Sequence, residues 1–441
     1  MNTTVRLVSV ASLAWMLAGC PSATTPEDTG PQPDTGGAAD AFATTGDTGP
    51  VVADAPRPAG GVTYYGQLRP VLAQHCNACH GEAGIAPFTI ATFEEARTLG
   101  ARLVDVTASR RMPPFLADNS GSCRTYNDAR WLSDAELAVI SDWVEGGMLE
   151  GDPTTPAPVV APLPTLTGDV RIIDIGTDFL PAAGVTDDYR CFVVDAPAGG
   201  SVTGYEVHPG NAQTVHHVIV YEPSSDGAAA EVRALDAAEA GPGYTCFGGA
   251  RVDAFPVVLW APGGGATSFP RNTGVEVSAT RPMVVQIHYN LLGGSGTDRT
   301  RVDLQYATSS VVPAYIVPIV NSDFRLPPRM GSVSSSETTQ LDGLPVASVR
   351  VYGSFPHMHT LGRTLRVDVL RGAGAEECMI DVPAWDFNWQ LAYWYTTPIR
   401  VNSADSIRIT CNWDTTTATD TITWGESTLD EMCLNFFYVS L

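Results

Sequence analysis

Five of the eight histidines in this chain of 441 residues fall in three short stretches. They are TVHHVIVYEP with His216 and His217, MVVQIHYN with His288, and FPHMHTLG with His357 and His359. On a strand, residues i and i+2 face the same way, so His357 and His359 would aim both imidazoles at one spot. Neutral imidazoles converging in apolar, strand-like surroundings are metal ligands by type. A second chemistry is written in HCNACHGE at 75–82. Cys76-x-x-Cys79-His80 has the spacing that attaches a c-type haem through two thioethers, with His80 carried to the iron as axial ligand. A thiol-redox site would need a βαβ setting and a zinc site a second ligand pair, and neither is visible.

Other H-x-H chemistries fail on their neighbours. Arg363 and Thr364 stand where a cupin needs a glutamate, and TLGR continues the motif where a metallo-β-lactamase needs further ligands. No carboxylate accompanies the pairs as an iron facial triad requires. The net charge of −23 excludes a nucleic-acid-binding surface. All 25 basic residues counted as Lys+Arg are arginine, which excludes Schiff-base chemistry. The three DTG tripeptides at 28–30, 34–36 and 47–49 sit in low-complexity sequence, not between the apolar strands of an aspartic protease.

The elements that must position these residues divide the chain into unlike parts. Residues 1–20 carry Arg6, an apolar run over Leu7–Leu17 and then LAGC, which resembles a bacterial lipoprotein signal with Cys20 as the lipidated first residue. That implies a cell-envelope protein, lipid-anchored on the periplasmic face or the cell surface. Residues 21–60, rich in Pro, Thr, Gly, Ala and Asp, cannot bury a core and read as a flexible stalk. Residues 61–148 read as helical: YGQLRPVLAQ precedes the haem motif, FEEARTLGARLVDV follows it, and Ser133 and Glu136 have capping-box spacing. This part resembles a small class I cytochrome c domain. Met112 in RRMPPF is the expected second axial ligand, Met148 is its competitor, and His75 reads as solvent-facing. A Pro-rich linker occupies 149–165. Beyond it, alternation such as Ile407, Ile409, Cys411 and Trp413 in SIRITCNW predicts two all-β, jelly-roll-like sandwich domains over 166–312 and 313–441.

Nine cysteines in an exported chain imply oxidising surroundings. With Cys20, Cys76 and Cys79 used elsewhere, six remain, and sequence alone does not choose their pairing.

Taken in order, VHHVIVY, QIHYN, HMHTLG and DEMCLNFF (430–437) resemble the copper motifs of the ascorbate-dependent type II copper monooxygenases, the peptidylglycine α-hydroxylating and dopamine β-monooxygenase-like family. The resemblance covers about residues 166–441. It implies that His216, His217 and His288 hold an electron-transfer copper, and that His357, His359 and Met432 hold the copper that meets oxygen and substrate. A thioether beside two imidazoles independently favours Cu(I) over zinc or magnesium. The resemblance also marks Gln286 and Tyr189 as residues that assist electron transfer. It pairs Cys411 with Cys433 and Cys191 with Cys246, which leaves Cys123 and Cys378 for each other.

The departures bear on substrate. Phe355 stands where peptide-amidating members have an arginine, and Leu434 and Phe436 where they have an asparagine and a tyrosine. A glycine-extended peptide is therefore a poor fit and a small apolar molecule a better one. Aromatics in WDFNWQLAYWY (385–395) suit either a pocket or a core. The resulting expectation is a monooxygenase that uses two copper ions and O2 to hydroxylate a C–H bond. Its electrons would pass from an external one-electron donor, ascorbate-like or a cytochrome, through the single fused haem c. A surface redox or copper-binding protein without hydroxylase activity is the alternative.

Overall fold

The computed structural model describes residues 61–82, 86–159, 164–270, 272–372 and 374–441. The signal peptide, Cys20 and the stalk expected over residues 1–60 lie outside the described residues.

A π-helical turn at Tyr64–Leu68 runs into the helix Arg69–His75 and the short helix Asn77–His80. Two longer helices follow, Phe93–Ala108 and Asp134–Glu145. Both begin with a complete capping box, Thr92 with Glu95 and Ser133 with Glu136, which satisfies the free amides of the first turn. Their apolar faces meet over Leu68, Leu72, Leu103, Ile140 and Trp143. His75 is not solvent-facing as expected: its Nε2 lies 2.8 Å from Glu136 Oε1 and ties the first helix to the last.

This helical part is not the self-contained, tethered domain that the sequence led us to expect. The segment between its last two helices leaves it and enters the C-terminal β half. There Phe115, Leu116, Ala117 and Tyr126 join a core with Tyr393 and Tyr395. Leu116 N donates to Tyr393 Oη (3.1 Å), Asp118 N to Asp381 O (2.9 Å) and Asn127 N to Trp394 O (2.7 Å). Arg124 pairs with Glu377, and a Cys123–Cys378 disulfide sits beside that pair. The physical reason is composition: a segment that brings Phe115, Leu116 and Tyr126 together buries more apolar surface in a sandwich than on a small helical module.

The rest is β-structure with one further helix, Asp226–Ala238. One sheet of nine strands runs through both halves. It is continuous because Val312–Val320 pairs in parallel with Thr273–Val277 of the first half and antiparallel with Cys433–Ser440 of the second. A five-stranded sheet packs on its first part, in the order Tyr244–Thr245, Asp187–Val194, Met283–Asn290, Val215–Pro223, Ala254–Trp260. A four-stranded sheet packs on its second part, in the order Val333–Gln340, Ser406–Trp413, Gly362–Leu370, Glu376–Val382. Each interface is a sandwich core: Val218, Val285 and Ile287 against Val202, Val275 and Leu304, and Leu365, Val367 and Ile409 against Val351, Ile399 and Val439. The strand Ser406–Trp413 alternates buried and half-buried residues throughout, as the period of two predicts.

Met283–Asn290 departs from alternation because both its faces are covered. Met283, Val285, Ile287 and Tyr289 enter the sandwich core. Gln286 and His288 therefore face the other way, Gln286 onto Cys246 and His288 toward the second half.

Candidate metal centre

His217, His288 and Tyr189 stand in one row across three neighbouring strands, since His288 is the register partner of both others. Two adjacent histidines on a regular strand would face opposite ways. Here the ladder slips between Val215 and His217, a β-bulge that lets His216 join His217 on the same side. One ring nitrogen from each of His216, His217 and His288 lies within 4.8 Å of the others.

The second set is built on a single strand pair. His357 is opposite Leu434 and Met358 opposite Cys433, where the ladder ends, so His359 and Met432 are the next residues on the two chains. Carried one residue further, strand alternation would put His357, His359 and Met432 on one face. Met432 is 5% exposed.

Hydrogen bonds leave each set with free nitrogens. Asp187 Oδ1 accepts from His288 Nε2 (2.8 Å), so His288 keeps Nδ1 for a ligand, and that atom faces His217 Nδ1 at 3.4 Å. His359 donates Nδ1–H to Asp430 O (3.1 Å) and His357 Nδ1 meets Gln390 Oε1, which frees Nε2 on both. Both ring nitrogens of His216 are buried and make no hydrogen bond of good geometry among the described residues. Buried imidazole nitrogens with unused lone pairs converging on one point fit a bound cation and little else.

Electrostatics agree. Burial, followed by the neighbouring imidazoles, pushes His216 and His357 down to about 3. Burial holds His359 at about 4 and His217 well below its ordinary value, and it lowers His288 as well. All five imidazoles are therefore neutral at pH 7, the form that binds metal. Burial opposes ionisation of Asp187, but the bonds from His288 and Thr428 outweigh it and hold the carboxyl at about 2.

The two sets are not separated by a cleft. The His217 and His357 rings are 5.9 Å apart, and Phe387 from the second half stacks on His216 at 4.2 Å. Within the aromatic stretch 385–395, Trp385 Nε1 also donates to His359 O (3.1 Å), while Tyr393 and Tyr395 are core. The loop after Trp424 closes the other side, where Tyr189 Oη donates to Glu426 O (2.9 Å). Glu431 lies behind the second set, fully buried. It accepts from His359 N (3.1 Å), Leu361 N (2.6 Å), Trp413 Nε1 (2.9 Å) and Met432 N (3.3 Å).

The remaining sequence-derived positions divide. Tyr189 stacks on His288 with ring centroids 4.1 Å apart. Gln286 lies further off, its Nε2 donating to Cys246 O (2.8 Å). Cys191 is bonded to Cys246 and Cys411 to Cys433, the second bridge anchoring the residue after Met432. In the helical part Cys76 and Cys79 are free thiols, and burial pushes Cys76 up to about 12. His80 donates Nδ1–H to Phe88 O (3.1 Å), leaving Nε2 for a ligand. Met112 follows the helix Phe93–Ala108, half-buried, with its N–H on Val106 O (2.9 Å). Met148 instead packs its Sδ against Gly100. Phe387 belongs to the aromatic stretch 385–395 that the sequence offered for a pocket, whereas sequence reasoning missed Asp187, Gln390 and Glu431. Of these, Asp187 and Glu431 carried a signal, one two residues before Tyr189 on the same strand face and the other next to Met432.

Comparison with known proteins gives the same direction. The chain is 22% identical over 340 residues to the tyramine beta-hydroxylase of Caenorhabditis briggsae, covering 70% of this chain and 54% of that protein. It is 24% identical over 299 residues to the dopamine beta-hydroxylase of Rattus norvegicus, covering 62% and 47%. It is 26% identical over 200 residues to DBH-like monooxygenase protein 2 of Mus musculus, covering 41% and 31%. The chain thus spans about half, or less, of the length of these curated relatives. The part that carries His357, His359 and Met432, residues 314–439, matches the family described as copper type II ascorbate-dependent monooxygenase, C-terminal domain.

Proposed function

We propose that this chain is a copper-dependent monooxygenase that hydroxylates a C–H bond of a small, apolar organic molecule. The observation that carries the reading is the pair of buried histidine sets with ring nitrogens fixed free by Asp187, Asp430 and Gln390. His216, His217 and His288 would hold one copper, and His357, His359 and Met432 the other. Bound copper supplies one-electron redox chemistry and a place for O2 to react. Per turnover, one C–H bond, O2, two electrons and two protons become one C–OH bond and one water.

The chain's own residues do the remaining work. Asp187, Gln390 and the Asp430 carbonyl hold three imidazoles in the tautomers that ligation needs. Phe387 and the loop 424–432 exclude water, which keeps the reacting centre dry. Phe355, in place of the arginine, is buried and packs its edge on Trp394 (5.3 Å), so this position itself offers no cation to bind a carboxylate.

The helical part fits a c-type haem: two free thiols at the right spacing and His80 with Nε2 free. Met112 is the second axial ligand in this reading. The haem would pass electrons singly from an external reductant to the coppers. Its host is bolted to the C-terminal half by Cys123–Cys378 and the Phe115–Tyr126 segment, so transfer would need no free diffusion of a tethered domain. Lipidation at Cys20 would place the whole on the cell envelope, in keeping with three disulfides.

One observation favours the second reading, a redox or copper-binding protein without hydroxylase activity. The two sets are in contact and His359 is 1% exposed, so a substrate needs the halves to part. The matured protein should hold two coppers and one haem per chain and take up O2 only with a substrate, whose product carries labelled oxygen. Zinc in place of copper would sink the first reading. Two coppers with no substrate-dependent uptake across a panel of apolar molecules would leave the second.

A further inference from the structure

Asp187 opens the strand that carries Tyr189, and its side chain is 4% exposed. Both its oxygens are in use. Oδ1 takes His288 Nε2–H (2.8 Å) and the Thr428 hydroxyl; Oδ2 takes Thr428 N (3.1 Å) and Ser427 Oγ (3.3 Å). One donor belongs to the first histidine set, and three belong to the loop 424–432 of the other half. Asn290 Nδ2, from the neighbouring strand, also reaches Thr428 Oγ1 (3.2 Å). Two residues after Thr428, Asp430 O receives His359 Nδ1, and two residues further on stands Met432.

We infer that Asp187 is a positioning residue shared by the two metal sites: a clasp that sets the His288 ring at the first and holds the His359–Met432 loop at the second. The inference rests on reading the two histidine sets as copper sites. A carboxylate accepts only, so it forces the proton of His288 onto Nε2 and keeps Nδ1 free. The same charge gathers the Ser427–Thr428 donors, bonds that are stronger than neutral ones. If the halves part to admit substrate, this buried clasp is among the contacts that must open.

The test is Asp187→Asn beside Thr428→Val, with Thr428→Ser as the conservative control, all as full-length protein. An asparagine can turn its NH2 to His288, which then protonates Nδ1 and loses its ligand atom. Removing such a partner lowers metal affinity about 10–100-fold. Asp187→Asn should therefore weaken first-site Cu(II) by that factor and change its electron paramagnetic resonance signal. In the metal-free protein it should also speed amide exchange over 425–431. Thr428→Val should speed exchange in the loop and perturb the second site, with the first-site signal unchanged, and Thr428→Ser should restore wild-type behaviour. If Asp187→Asn does not fold, the Thr428 pair still decides: loop exchange unchanged by Thr428→Val overturns the clasp. Wild-type affinity and spectrum in Asp187→Asn overturn it as well. Absence of copper from the wild-type protein would overturn the metal reading instead, while loop exchange in the metal-free variants would still report on the clasp.

Discussion

Replacing Glu431 by alanine should destabilise the C-terminal half more than removing any one ligand histidine. Its carboxylate is the acceptor for three well-formed donors, His359 N, Leu361 N and Trp413 Nε1, and for the weaker Met432 N. Alanine leaves these donors buried and without an acceptor. Each orphaned donor costs about 1–3 kcal/mol, and water entering the cavity recovers part of that. Three donors at the low to middle of this range give about 3–6 kcal/mol, comparable with the whole stability of many domains. Glu431→Gln keeps one acceptor oxygen and should cost about 1–3 kcal/mol.

Unfolding of a chain with several coupled parts is not two-state, so the comparison belongs on a local probe. Amide exchange at Leu361 and His359, whose N–H groups bond to Glu431, supplies one in a denaturant series on metal-free protein. The pH dependence sharpens the test. Burial pushes Glu431 up to about 7 against its N–H donors, so the folded protein takes up a proton there as pH falls through about 7. Wild type therefore loses stability as this buried carboxyl ionises between pH 6 and pH 8, whereas a glutamine does not titrate. The destabilisation caused by Glu431→Gln should accordingly be larger at pH 6 than at pH 8. A Glu431→Ala midpoint within about 1 kcal/mol of wild type would refute the reasoning, because it would mean the donors find other partners.

Copper content gives a second check: His357→Ala should fall from two coppers per chain to one, and a count indifferent to His357 would contradict the second site. Metal-free stability should decline as pH drops below about 6.5, the ordinary histidine value. His216, His357 and His359 titrate only at about 3, 3 and 4 when folded, so the unfolded chain binds more protons throughout that window. Each adds a slope of about 1.4 kcal/mol per pH unit. Glu431 and Glu426, both raised to about 7 by burial, oppose it between 4.5 and 7, where the folded state holds the extra protons. The histidines outnumber them, so urea midpoints should be lower at pH 5 than at pH 7, and a flat or inverted profile would count against neutral buried imidazoles. Cys123→Ser with Cys378→Ser opens a link between residues 255 apart and should cost about 3–5 kcal/mol. The helical part should nevertheless stay docked through Leu116, Asn127 and Tyr126, as measured by protection of 115–130 from protease.

How much of the site could be read from sequence follows from how local each part is. For the second set the period of a strand was enough to expect His357 and His359 on one face, while Met432 came through the resemblance. The first set needed more. Adjacent His216 and His217 share a face only because the ladder slips at that point, and no residue near them announces a bulge. Their assignment came through resemblance rather than periodicity. The contacts that close the halves were not legible at all. Asp187 reaches Thr428 across 241 positions, and Phe387 reaches His216 from a stretch whose aromatics read more readily as core. The helical part failed for the same reason in reverse: Phe115 and Tyr126 lie within a recognisable haem-type segment yet belong to the core of a sheet that begins two hundred residues later. Local pattern shows which side chains a strand presents, whereas the partner of a buried carboxylate or ring is chosen by packing between distant segments. Asp187 and Glu431 are positions where that choice is tightly constrained, because each must satisfy four donors with one carboxylate. A change there cannot be absorbed by a neighbour, and its effect should appear at both histidine sets when Asp187 is altered but at the second alone when Glu431 is.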